Sequence, residues 1–312
     1  MTIMSRSLSS SLRRVGGTTL HRIRVGGVPE HFNTPWHTAA AKGLFDAAGL
    51  QVEWTDFPGG TGAMTKALRS GDIDIALALT EGLVADLHKG NPSKLLGTYV
   101  ATPLTWGVHA SAGSKLQTMA DLGTDVRYAV SRMGSGSHLM ACVDAHGRGL
   151  DPSALRLEIV GSLDGARESL KAGRADIFMW EKFTTKFLVD SGEWQLVGEV
   201  PTPWPCFSIA ATDAALEGSG ERLLRLLEIV RAEADELRAS PTCAATVGLM
   251  YGQHEEDVTE WLGGVRWSSR PVVSHATLSQ VMNSLVDAGI LTPEELLPPS
   301  ALLSSLTSDG EP

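Results

Sequence analysis

Two glycine-rich runs, Gly59-Gly60-Thr61-Gly62 and Gly134-Ser135-Gly136-Ser137, each stand directly before a stretch with helical spacing. A helix that begins at such a turn presents free backbone N–H groups, which favour an anionic or strongly polar group by roughly 0.3 to 1 kcal/mol near the surface. Ser135 and Ser137, set between glycines, are better hydrogen-bond donors than a tight turn requires, and Arg132 just ahead of them adds a planar fork suited to carboxylate, sulfonate or phosphate. Either glycine run could also serve as a turn alone. The chemistry these residues suggest is recognition of a small polar or anionic molecule.

No catalytic constellation accompanies them. The chain has no P-loop, no serine nucleophile elbow and no helix-borne histidine pair at metal-ligand spacing. Val25-Gly26-Gly27 lacks the dinucleotide pattern, and Gly134-Ser135-Gly136 runs on through Ser137-His138-Leu139 without a third glycine. Cys142, Cys206 and Cys243 are too few and too scattered for a disulfide framework or a tetrahedral metal site, and read as buried small apolar residues. Neither a cofactor nor a metal is expected.

The elements that must position these groups form a unit that occurs twice. Residues 59–81 read as glycine turn, helix, glycine stop and buried strand, and residues 162–183 repeat the plan. Leu68, Gly71, Asp74 and Ile75 recur as Leu170, Gly173, Asp176 and Ile177, each 102 positions further on, as 170 is from 68. A single recurrence implies two similar lobes rather than a stacked array, and a site between them. Strands alternate with helices in both halves, as in an α/β fold of largely parallel sheets. Connections near 102–114 and 201–213 would make a two-strand hinge. Helical stripes from residue 221 onward most simply pack on the first lobe, which is expected to comprise 22–108 and 206–303, with 109–205 as the second lobe and 304–312 as a loose tail.

Ligands of parallel α/β lobes sit beyond the carboxyl ends of the strands. That rule selects Asn33, Thr34, His37, Gly60, Thr61, Thr80 and Glu81 from the first half. From the second it selects Ser131, Arg132, Gly134 to Ser137, Trp180, Glu181 and Phe183, while Trp106 and Trp204 could wall a pocket.

The 312 residues are 43% apolar and 20% charged, enough for a well-cored globular protein, and a net charge of −10 argues against nucleic acid as a partner. Residues 1–29 are acid-free and carry Arg6, Arg13, Arg14, Arg22 and Arg24 beside a serine cluster, the composition of an organelle transit peptide rather than a secretory signal. No apolar run reaches the roughly 18 residues of a membrane span. A soluble intracellular protein, cytoplasmic or mitochondrial, is expected, with a basic leader over 1–21; the sequence leaves its oligomeric state open.

Several runs together resemble a known family. Lys42-Gly43-Leu44-Phe45, Gly49-Leu50-Gln51-Val52, Leu68-Arg69-Ser70-Gly71-Asp72-Ile73-Asp74-Ile75 and Asp287-Ala288-Gly289-Ile290-Leu291-Thr292-Pro293, in this order, are similar to the type II periplasmic-binding-protein fold. The likeness covers roughly residues 22–300 and is greatest to the branch of sulfonate, taurine and nitrate solute-binding proteins and thiamine-pyrimidine precursor proteins. It implies a two-lobed protein that closes over a small ligand. The absence of a secretory signal and of a lipid-anchoring cysteine points to a stand-alone intracellular member. The alternative it implies is an enzyme of vitamin biosynthesis with His37 or Glu181 as acid or base, although the cysteine-rich motif of the eukaryotic pyrimidine synthases is missing.

Overall fold

The computed structural model describes residues 14–15 and 18–312, so most of the basic leader lies outside the described residues. The chain enters a first sheet through β1 (His21–Gly27), β2 (Leu50–Asp56), β3 (Ile75–Leu79) and β4 (Ser93–Val100). It crosses to a second sheet for β5 (Thr105–Ser111), β6 (Arg127–Val130), β7 (Arg156–Ile159), β8 (Ile177–Glu181) and β9 (Trp194–Pro201), then returns for β10 (Phe207–Thr212) and β11 (Trp267–Arg270). The strand orders are β11-β4-β10-β3-β1-β2 and β9-β5-β8-β6-β7. In each sheet three strands run parallel (β2, β1, β3 and β7, β6, β8), and the strand after the third, β10 or β5, pairs antiparallel with it. The expected boundary at 108/109 falls inside β5, all of which belongs to the second sheet.

Helices cover both faces. α1 (Thr34–Ala41), α2 (Leu44–Ala47), α3 (Thr61–Ser70) and α4 (Thr80–His88) alternate with the strands of the first sheet, and α5 (Gly136–Gly147), α6 (Leu163–Lys171) and α7 (Lys182–Asp190) with those of the second. α8 (Asp213–Ala239), α9 (Cys243–Tyr251), α10 (Glu255–Gly264) and α11 (His275–Asp287) follow. β3 shows why its run is continuously apolar. Ile75 and Leu77 join a core that includes Leu227 and Val230 of α8, while Ala76 and Ala78 join another that includes Leu83 of α4 and Leu278 of α11. A strand buried on both faces needs no polar alternation.

The repeated unit is built by the same contacts twice. Asp74 grips Arg24 of the neighbouring parallel strand, accepting from its N–H at 2.8 Å and from Nε at 3.1 Å through one oxygen and from Nη2 at 2.5 Å through the other. Asp176 grips Arg127 in the same way, at 2.8, 2.9 and 2.6 Å. Gly71 and Gly173 end the preceding helices with φ of 71° and 64°, a conformation open to glycine without strain.

The lobes are joined at 101–104 and 202–206. Thr202 N–H donates to Leu104 C=O at 2.9 Å, Leu104 N–H donates back to Thr202 Oγ1 at 2.9 Å, and Cys206 N–H donates to Thr102 C=O at 3.0 Å. The last residues, expected to be loose, are held: Thr307 Oγ1 donates to the Leu95 and Leu96 carbonyls at 3.0 Å, and Val272–Val273 pairs with Ser308–Asp309. They serve the carbonyls at the β4 edge, a need that composition does not reveal.

Candidate functional site

Three helices begin at one cavity between the lobes, of about 410 Å³, into which Gly60 and Thr61 of the first lobe and Ser135 to Ser137, Gly161 and Ser162 of the second all project a surface. α3 starts after Gly60, whose φ of 66° suits glycine. The Gly60 carbonyl accepts from Ala63 at 3.0 Å and Met64 at 3.3 Å. The N–H groups of Thr61 and Gly62, at the start of the helix, have no intrahelical acceptor. α5 is capped by Ser135, whose Oγ accepts from His138 N–H at 3.4 Å, and α6 by Ser162, which accepts from Gly165 at 3.1 Å. Ser137 Oγ accepts from Ser131 N–H at 3.0 Å, and Gly161 N–H donates to Ser131 C=O at 3.0 Å, so one residue ties the two second-lobe turns together.

Arg132 crosses toward the first lobe. A Cβ added at Gly62 would overlap its guanidinium, so the α3 start is shaped to receive it. Burial pulls the Arg132 guanidinium below its usual value, and among the described residues it has no carboxylate partner. Gly136 marks a second close approach, since a Cβ there would lie 2.9 Å from both Leu79 Cδ1 and Trp106 Cη2.

Acidic groups stand elsewhere on the walls. Glu181, register partner of Trp106 across β8 and β5, accepts from Thr184 N–H at 2.6 Å and Thr184 Oγ1 at 2.7 Å, and burial raises its carboxyl to about 6. Glu30, half-buried in the turn after β1, is raised to about 8 by burial and then by the charge of Glu181. Glu81 lines a smaller adjoining cavity of about 230 Å³ that shares Thr61, Leu79, Arg132, Ser135 and Gly136 with the larger one. Trp204 Nε1 donates to Glu81 at 2.9 Å, while burial lifts that carboxyl to about 7.

Of the residues expected from sequence, Gly60, Thr61, Trp106, Arg132 and Ser135 line the larger cavity together with Gly136, Ser137, Trp180 and Glu181, and Gly134 joins Glu81 at the smaller. Others lie elsewhere. Asn33 donates to Val28 C=O at 2.7 Å and Thr34 to His31 C=O at 2.7 Å, both fixing the local turn. His37 meets the Trp54 ring edge-on at 4.8 Å. Thr80 donates to Pro205 C=O at 2.7 Å, Trp204 is buried, and Phe183 lines separate cavities beside α10. Sequence reasoning missed Glu30, Gly161 and Ser162. The last two are the counterparts, 102 positions on, of Gly59 and Gly60, so the repeat carried that signal. Glu30 follows Pro29 with no pattern to mark it.

Two sheets of matching order, crossed twice and enclosing a cleft lined by helix starts, define the two-lobed periplasmic-binding-protein fold, and the chain has that fold. The sequence profile of the Ca3427-like PBP family matches residues 106–200, most of the second lobe. The CA3427 gene product of Candida albicans, described as defining a new family with the generic periplasmic binding protein fold, superposes with a TM-score of 0.84 at 26% identity, covering 94% of this chain and 99% of that one. The alkanesulfonate-binding protein SsuA from Xanthomonas axonopodis pv. citri, bound to MOPS, gives 0.75 at 18% identity over 90% of this chain and 97% of its own. The periplasmic nitrate-binding protein NrtA from Synechocystis PCC 6803 gives 0.67 at 13%, over 88% and 83%. No curated protein sequence matches. The resemblance to solute-binding proteins therefore holds at the level of fold. Among the described residues no helix is long and apolar enough to cross a membrane.

Proposed function

We propose that the protein binds a small polar or anionic molecule in the interlobe cleft and closes its lobes over it. One observation carries this reading: the starts of α3, α5 and α6 meet at a single cavity beside an arginine with no carboxylate partner among the described residues. Helix N-termini and a free guanidinium favour an anionic head group. Similarity to sulfonate- and nitrate-binding proteins agrees with that choice. The test is a melting-shift screen of sulfonates, nitrate and carboxylates. Binding at 100 times the dissociation constant stabilises by about 2.7 kcal/mol, and Arg132→Ala is expected to abolish the shift; a screen giving neither stabilisation nor compaction in scattering would reject the reading.

A catalytic role is favoured by one feature, the carboxyls of Glu30 and Glu181 held near neutrality on the cleft wall. His37 packs on Trp54 outside the cavity, which leaves Glu181 as the acid or base of an enzyme of vitamin biosynthesis. Mass spectrometry of the co-purifying compound identifies the molecule to assay, and turnover of that molecule lost in Glu181→Gln would favour the enzyme. We further propose an intracellular location from the acid-poor leader, to be checked by cell fractionation.

A further inference from the structure

The cleft carries charge of both signs without neutralising it. Arg132, Glu30 and Glu181 all line this cavity, yet among the described residues neither glutamate forms an ion pair or a side-chain hydrogen bond with the guanidinium, and the Glu181 carboxylate is held by Thr184 instead. Lys182, next to Glu181, is engaged by Glu260 at 2.7 Å and Glu199 at 2.9 Å, and Lys186 by Asp190 at 2.7 Å and Asp257 at 3.3 Å. Tyr251, which feels the charge of Glu30, is a phenol raised to about 12 by burial and therefore neutral. Glu30 has neither a side-chain hydrogen bond nor an ion pair among the described residues.

The wall beside the acids is aromatic and incomplete in its hydrogen bonding. Trp106 and Trp180 both line the cavity, and Trp106, only 4% exposed, has a buried Nε1 with no acceptor. A buried indole N–H normally finds a partner. A cation flanked by carboxylates and indole faces gains from both charge pairing and the ring quadrupoles.

Taking the cleft as the ligand site, we propose that its ligand is bipolar, an anionic head at Arg132 joined to a protonated nitrogen held by Glu30 and Glu181, with Glu30 the specificity-determining residue. A cavity of about 410 Å³ accommodates a small metabolite carrying both groups. The Trp106 N–H is then available to an oxygen of the ligand.

Calorimetry with two near-isosteres, 3-aminopropane-1-sulfonate and propane-1-sulfonate, tests this at about pH 8.5, above the value of about 8 to which Glu30 is raised and where an alkylammonium is still protonated. The amino compound is expected to bind about tenfold or more tightly, the scale of one charge-assisted hydrogen bond. That preference should collapse toward unity in Glu30→Gln and Glu181→Gln, with folding checked by melting. Equal affinity of the two compounds for the wild-type protein overturns the bipolar ligand while leaving the anion-binding cleft intact. Failure of both to bind removes the head-group assignment as well and overturns both.

Discussion

Trp204 Nε1 donates a 2.9 Å hydrogen bond to Glu81 Oε2, linking the second interlobe crossing to the first turn of α4. Glu81 is 2% exposed, and its other carboxylate oxygen is buried without a partner. Trp204→Phe keeps most of the packing and removes the donor. We expect a loss of about 1 to 3 kcal/mol in urea unfolding, the cost of leaving a buried acceptor unsatisfied. A loss well below that range would show that the Trp204 N–H contributes little to holding Glu81.

The three cleft glutamates impose a pH dependence with a definite sign. Unfolded, each loses its proton near 4.5, whereas the folded protein holds Glu181, Glu81 and Glu30 protonated up to about 6, 7 and 8. The native state binds more protons across that window, so their stabilising contribution is full below about 4.5 and falls as pH rises toward about 8. His31, pushed down to about 3 by burial, acts in the opposite sense but is common to wild type and variant. Glu30→Gln should therefore melt close to wild type at about pH 5 and above it by about 2 °C or more at about pH 8.5. A constant difference across that range would contradict the raised carboxyl.

Gly62 leaves the room that the Arg132 guanidinium occupies. Gly62→Ala should displace that flexible end at little cost to folding, because alanine is the better helix former. Ligand affinity is expected to drop about tenfold while the melting temperature without ligand stays level. Unchanged affinity would show that Arg132 is not the head-group ligand.

Two lysines of α7 reach across to α10, Lys182 to Glu260 at 2.7 Å and Lys186 to Asp257 at 3.3 Å. Each of these partly exposed pairs contributes on the order of 0.2 to 1 kcal/mol and weakens with salt. A Lys182→Met, Lys186→Met double variant should show a larger radius of gyration without ligand in small-angle scattering. An identical scattering curve would assign lobe contact to packing alone.

The parts of this fold visible in sequence are those enforced locally. Gly71 and Gly173 must adopt positive φ, and Asp74 and Asp176 sit one strand entry later, so the repeat stands out in the letters. Arg24 and Arg127, the partners that explain those aspartates, were not legible, because parallel strands bring together residues about fifty positions apart. The cleft was legible where helix starts carry glycine and serine. It was not at Thr80, Asn33 or Thr34, whose hydroxyl or amide serves a nearby carbonyl instead, nor at Glu30, which reaches the cavity from the turn after β1 with no motif to mark it.

Gly136 sets a limit that is steric rather than chemical. With Leu79 from one lobe and Trp106 from the other each 2.9 Å from where its Cβ would stand, the glycine works as a thickness gauge. A methyl group there would act as a wedge between Leu79 and Trp106, so how closely the first lobe sits against the start of α5 is decided by a missing atom.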